Sequence, residues 1–210
     1  MNSTENSDVF LDSNMIIYIS NFKKYDVVTW LNALYNKVYV HTQVLDELLY
    51  SELKDFCNKQ IELGNWILFN PEDETILNDI QFEIYNSLYS EVRRDFTKYQ
   101  LTRDEKQTTD RADVGILAGC RTLSIAVIST QDGDFKKVIT TNNYVVNVEE
   151  DESGEDVLIE VHDLEKLGFL CIINDIATFP QVKRFISVSV PLLKRKIIAS
   201  LESNLKEFEL

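Results

Sequence analysis

The chain reads as an α/β protein with a parallel sheet covered by helices. Three observations predict this class. Short apolar runs alternate with longer amphipathic segments along most of the 210 residues. Several of those runs are apolar at every position, as strands buried on both faces are. Only three prolines and six glycines interrupt the chain, with aromatics at 10%, a composition that excludes collagen-like, linker-dominated and disordered chains.

Taken in order, Val9, Phe10 and Leu11 predict a first strand, followed by a helix over 13–20 and another over 25–36. Residues 38–40 predict a second strand and 42–63 one long helix. A third strand is expected at 66–69, closed by Asn70 and Pro71, then a charged helix or helix pair over 74–99. A helix over 109–123 leads to a fully apolar strand at 125–129, a helix at 134–141 and a strand at 144–148. The acidic block EEDESGED at 149–156 is the one break in composition, and it sets an expected boundary. Residues 1–148 then form the main domain, and 149–210 form the acidic loop and a mainly helical C-terminal extension. That extension is expected to hold a strand at 157–161 and helices at 163–172 and 182–208.

Charge and cysteine usage narrow the function. With 21 Lys/Arg against 35 Asp/Glu, the net charge of −14 argues against wide, sequence-blind coating of nucleic acid or an anionic membrane. Cys57, Cys120 and Cys171 are scattered, without the paired spacing of a thiolate zinc site or a disulfide framework, so a reducing, cytoplasmic setting is expected. The polar start MNSTENSD has no basic segment before an apolar one, and no run approaches the ~20 apolar residues of a membrane span.

The informative residues are acids where apolar side chains belong. Asp12 closes the first strand run and Asp132 follows the fourth, with Gly133 and Asp134 in the turn behind it. Glu47 lies early in its helix beside the apolar positions Val44 and Leu48. Asp113 has Ile116, Leu117 and Cys120 at helical spacing, which predicts a place on the buried face, whereas Asp110 reads as a helix-start acid. A parallel sheet brings strand ends and helix starts to one edge, so five carboxylates from four segments are expected to converge there. Converging like charges are tolerated when divalent cations bind, and an all-oxygen donor set favours Mg²⁺ or Mn²⁺ over zinc. The chemistry such a site suits is phosphodiester hydrolysis. No covalent-catalysis set is recognisable. His41 reads as a helix start and His162 as a strand end. A phosphatase of the haloacid dehalogenase type would need a second Asp two residues after Asp12, where this chain has Asn14.

Four stretches in this order resemble the PIN-domain nucleases: VFLDSN at 9–14, VLDELL at 44–49, ADVGILAGC at 112–120 and ISTQDGDF at 128–135. The family's metal-binding acids fall on Asp12, Glu47 and Asp113. Its T-x-D-x-D-F pattern is met by Thr130, Asp132, Asp134 and Phe135. The resemblance implies a three-layer α/β/α PIN-like fold over the first 148 residues and cleavage of RNA with Mg²⁺ or Mn²⁺. It also implies the toxin half of a toxin–antitoxin pair, with an antitoxin or other protein as partner and a homodimer as an open arrangement. Asn14, Thr130, Arg93, Arg94 and Lys136 are the expected substrate contacts, within a basic cluster that includes Lys98, Arg103, Lys106, Arg111 and Lys137. The alternative from another class is a catalytically silent interaction module on the same scaffold.

Overall fold

The structure, a computed structural model, describes residues 7–102, 111–147 and 156–208. Five parallel strands form the central sheet: β1 (Val9–Leu11), β2 (Val38–His41), β3 (Ile67–Phe69), β4 (Val127–Ser129) and β7 (Glu160–His162), in the order β3-β2-β1-β4-β7. The helices that connect them are α1 (Ser13–Asn21), α2 (Val27–Leu34), α3 (Thr42–Glu47), α4 (Ser51–Glu62), α5 (Asp79–Leu101), α6 (Arg111–Leu123), α7 (Gly133–Asn142) and α8 (Leu164–Ile173). Helices α9 (Phe179–Ser189) and α10 (Lys194–Phe208) end the described chain and pack on α8. The molecule is therefore an α/β protein with a parallel sheet flanked by helices and a helical C-terminal part. Among the described residues, no helix is long and apolar enough to cross a membrane.

Burial on both faces explains why β1 is apolar throughout and β4 nearly so: Val9, Phe10, Leu11, Val127 and Ile128 are all fully buried. On one face, Phe10 meets Phe69 edge-on at 5.3 Å and Tyr39 at 5.4 Å. Helix α6 crosses this cluster at Gly119, where an added Cβ would stand 2.8 Å from the Phe10 ring. Those neighbours leave the ring nowhere to go. Gly119→Val is expected to cost about 2 kcal/mol, or about 4–8 °C in Tm for a chain of this size, readable by thermal or urea unfolding.

Three expected helices are corrected by the packing. The single helix over 42–63 is two, α3 and α4, parted at 48–50. Leu48 leaves the helical conformation at φ −68°, ψ 106° and stays buried, while Leu49 is 90% exposed. The apolar positions explain the break, because Val44 and Leu48 are four apart but the next partly buried one is Leu53, five further on. One continuous helix cannot keep both sets on the sheet. The helix over 182–208 is likewise two, divided at Pro191, which has no N–H and drives Val190 out of the helix at ψ 67°. At its other end α9 starts earlier, from the Thr178–Gln181 capping box. The helix expected from 74 starts at Asp79, where Asn78 and Gln81 form a second such box.

The remaining corrections concern the sheet. The strand at 144–148 is β5 (Val145–Asn147), which lies outside the main sheet and pairs antiparallel with β6 (Asp156–Leu158). The run at 157–161 divides between β6 and β7, and β7 adds to β4 in parallel register, Ile128 opposite Val161. The sheet thus continues past the composition break near 149. Residues 156–208 share one apolar core with the rest, including Ile159, Leu164, Val182 and Leu201. The acidic block itself, apart from Asp156, lies outside the described residues, as do Asp110, Arg103 and Lys106.

Candidate functional site

The strand order reverses direction between β1 and β4. The chain runs from β1 outward through β2 to β3, then returns to β4 on the other side and ends at β7. A crevice opens at such a switch point, outside the carboxyl ends of the two diverging strands. Asp12 follows β1 and Thr130, Gln131 and Asp132 follow β4, which places them at that switch point. Each Asp also caps a helix. Asp12 Oδ1 accepts the Ser13 N–H at 2.6 Å at the start of α1, and Asp132 Oδ1 accepts the Asp134 N–H at 2.8 Å at the start of α7. Two helix amino termini, each partly positive, thus face the same place.

Asp12 is 4% exposed and surrounded by donors. The Thr130 hydroxyl is 2.7 Å from its Oδ2, and the Asn14 side-chain amide donates to the same oxygen. Thr130 Oγ1 also receives the Asn14 amide at 3.1 Å and the Asp132 N–H at 3.0 Å. Both of those groups can only donate, so the Thr130 proton is forced towards Asp12. Asn14 is fixed in turn, since its Oδ1 accepts the Gln131 N–H at 3.0 Å. Every contact to Asp12 therefore favours the carboxylate form, while its surroundings oppose it. Burial pushes the Asp12 carboxyl above its ordinary value, hydrogen bonds from Thr130 and Ser13 pull it back, and the Asp132 charge pushes it up again.

The other expected acids are carried by α3, α6 and α7. Asp134 is half-buried, and its Oδ1 accepts the Tyr99 hydroxyl at 3.2 Å. Glu47 was expected to angle toward the sheet; it is exposed, and its Oε1 accepts the Ala112 N–H at 3.3 Å, one residue before Asp113. Asp113, expected on the buried face, is half-buried, because it precedes the point where α6 meets the sheet. Gly115 crosses over His41 at the end of β2 and Gly119 crosses over Phe10, which places the start of α6 beyond the carboxyl edge. Among the described residues, no group of three or more carboxylate, imidazole or thiol side chains is close enough together to hold a metal ion. Of the expected acids, Asp132 acts on Asp12 through its charge.

Asn14 and Thr130 serve the Asp12 carboxylate, and Thr130 is fully buried. Arg93 and Arg94 are exposed on α5, five or six residues before Tyr99 and so about 8–9 Å back along the helix. Arg94 Nε is 4.0 Å from Asp95, a buried carboxylate that also accepts from Lys98 at 3.2 Å and from the Tyr144 hydroxyl at 2.8 Å. Lys136 is exposed on the first turns of α7, and the Lys137 ammonium stands 5.8 Å from the Tyr99 ring. Tyr99 is the participant that sequence reasoning missed. It lies 35 residues from Asp134, and only the packing of α5 against α7 joins them.

Both histidines are fully buried and outside the acidic crevice. His41 caps α3, and burial lowers it from 6.5 to about 4. His162 Nδ1 is 2.8 Å from the Tyr35 hydroxyl, and its Nε2 lies 3.3 Å from Glu160, which this contact and Lys166 hold down at about 2. No family model matches the chain, and no curated protein matches it.

Proposed function

We propose that the chain is a Mg²⁺- or Mn²⁺-dependent ribonuclease of the PIN type, hydrolysing RNA phosphodiester bonds at the carboxyl edge of its sheet. One observation carries this reading: Asp12 is kept buried, donor-saturated and next to Asp132 at the switch point between β1 and β4. A hard cation fits that pair by donor type. Mg²⁺ is commonly held by one or two carboxylates, its remaining positions taken by water and substrate phosphate, so a third converging acid is not required. Asp12 and Asp132 would hold the ion, with Asp134, Glu47 and Asp113 within the same edge. The ion, when bound, supplies charge stabilisation at the phosphate and a more acidic water. Thr130, Asn14 and Ser13 orient Asp12, and Tyr99 orients Asp134. Arg93, Arg94 and Lys136 supply cations for the flanking phosphates, which position a strand without reading its sequence. A toxin role with an antitoxin partner, and a cytoplasmic setting, belong to the same proposal.

The test is direct. Purified protein is expected to cut single-stranded RNA with Mn²⁺ and to stop with EDTA. At about 100 times its dissociation constant, Mn²⁺ is expected to stabilise the fold by about 2.7 kcal/mol, a rise of roughly 5–10 °C in Tm. Intact RNA together with an unmoved Tm would sink the proposal. That outcome would favour the interaction module instead.

A further inference from the structure

We propose that the tip of the C-terminal helical hairpin docks on an anionic lipid surface, apart from any ribonuclease activity. Helices α9 and α10 fold back on one another, with Lys183 of α9 at 3.5 Å from Glu202 of α10, and the turn at 190–193 forms the tip. Apolar side chains stand out in water there. Leu192 is 97% exposed, while Leu193 and Val188 are each 50% exposed. Val190, Ile197 and Ile198 are buried and anchor the turn, so the outward leucines are not needed to hold the core together. Cations adjoin this tip. Residues 176–201 hold five Lys/Arg and not one of the chain's 35 Asp/Glu. Lys183 pairs with Glu202; among the described residues, Arg184, Lys194, Arg195 and Lys196 have no ion-pair partner. The last three occupy the first turn of α10, which contains no acid, although a helix start disfavours positive charge. The sequence thus keeps an arrangement that costs the helix stability. Glu202 lies eight residues beyond Lys194, about 12 Å along the helix, whereas screening at physiological salt acts over about 8 Å. The tip therefore presents a positive field although the chain carries −14 overall.

Shape and composition select the occupant. A stable protein interface takes about 20–30 residues a side and seats its apolar anchors in pockets, whereas this tip is a handful of residues on a protruding turn. RNA phosphates would use the cations and leave the leucines in water. A fluid surface of acidic headgroups satisfies both. The leucines enter the boundary between headgroups and acyl chains, and the Lys and Arg heads, on long apolar stems, stay at the level of the phosphates.

The experiment is co-sedimentation of the full chain with vesicles, either equal parts phosphatidylserine and phosphatidylcholine or phosphatidylcholine alone. The wild type is expected to sediment with the acidic vesicles only, and to be released by high salt. Lys194→Gln, Arg195→Gln and Lys196→Gln together are expected to weaken binding about a hundredfold, the scale of three cations near a charged surface. Leu192→Ser with Leu193→Ser is expected to weaken it by about tenfold. Leu192→Ser alone, at a side chain 97% exposed, repeats the test without touching the packing. Insertion is read directly in Leu192→Trp. Its emission is expected to shift to the blue with acidic vesicles, against the buried Trp30 and Trp66, whose surroundings do not change. No sedimentation with acidic vesicles, or undiminished binding by the leucine variants, would overturn the proposal. RNA held on a filter through the three cations, with the leucine variants unaffected and vesicles unbound, would overturn it in favour of an RNA contact. None of these variants touches Asp12 or Asp132, so the failure of lipid binding leaves the ribonuclease reading standing.

Discussion

Asp12→Asn is expected to abolish Mn²⁺-dependent RNA cleavage, by about 10³-fold, while moving Tm by only a few degrees. The loss follows from the charge. Removing the carboxylate that would hold the ion forfeits several kcal/mol of transition-state stabilisation, and each 1.36 kcal/mol is tenfold in rate. The small stability change follows from two opposed effects at the same atoms. The Asn side chain removes the burial penalty and the Asp132 repulsion that oppose an ionised Asp12, which favours the fold. Its amide, however, turns a donor toward the Asn14 amide and the Thr130 hydroxyl, whose proton has no other acceptor there. A donor left unpaired costs about 1–3 kcal/mol, comparable with the repulsion removed. Asp132→Asn separates the two effects. Its remaining oxygen still caps α7, so it is expected to stabilise the metal-free protein and to lose the Mn²⁺ response. Cleavage by Asp12→Asn at the wild-type rate, with its fold intact by circular dichroism, would remove Asp12 from the mechanism.

Acidification is expected to cost roughly 3 kcal/mol of stability through His41 alone. The imidazole has a value of 6.5 when unfolded and about 4 when buried in the native protein, so between those values the unfolded chain binds more protons. Its contribution is complete above about 6.5 and is lost as pH falls through about 4. The difference of 2.5 units, at 1.36 kcal/mol each, sets the size. Among the described residues the ring's polar partners are the Gln43 N–H and the Tyr85 hydroxyl, neither of them a carboxylate. Asp12 acts in the opposite sense. Its raised value favours the protonated native form, so its contribution is present below 3.8 and is lost as pH rises through the native value. Urea unfolding from pH 7 to 4 is therefore expected to show a shallower decline in His41→Asn, which keeps the cap and cannot titrate, than in the wild type. Parallel curves would show that His41 is not the group responsible.

The legible part of this protein was the part written in neighbouring residues. Strands β1, β2 and β4 are short, mostly apolar runs, and acids just beyond such runs stand out, which made Asp12 and Asp132 visible without coordinates. Both have a local role as helix caps as well, so the pattern alone could not separate a capping acid from a site acid. The split of the 42–63 helix was encoded as a one-residue slip between Leu48 and Leu53, but a slip is weaker than the continuous helical periodicity around it. Strand β7 was assigned to an extension because acidic composition broke the chain before it. Three residues pairing with β4 outweigh that break, since a parallel strand is chosen by the partner it finds and the apolar faces it covers.

The sequence by itself determined the α/β class, the alternation of elements, the acids at strand ends and the absence of a cysteine framework, because each depends on spacing within a few residues. Tertiary structure alone decided which acids approach one another, that Asn14 and Thr130 support Asp12, and that Tyr99 reaches Asp134. It also decided that the His41 ring meets the Tyr85 hydroxyl. These contacts join residues between 2 and 118 positions apart. The longer of them arise from the strand order and the packing of α5, α6 and α7 over the sheet, neither of which any local pattern specifies.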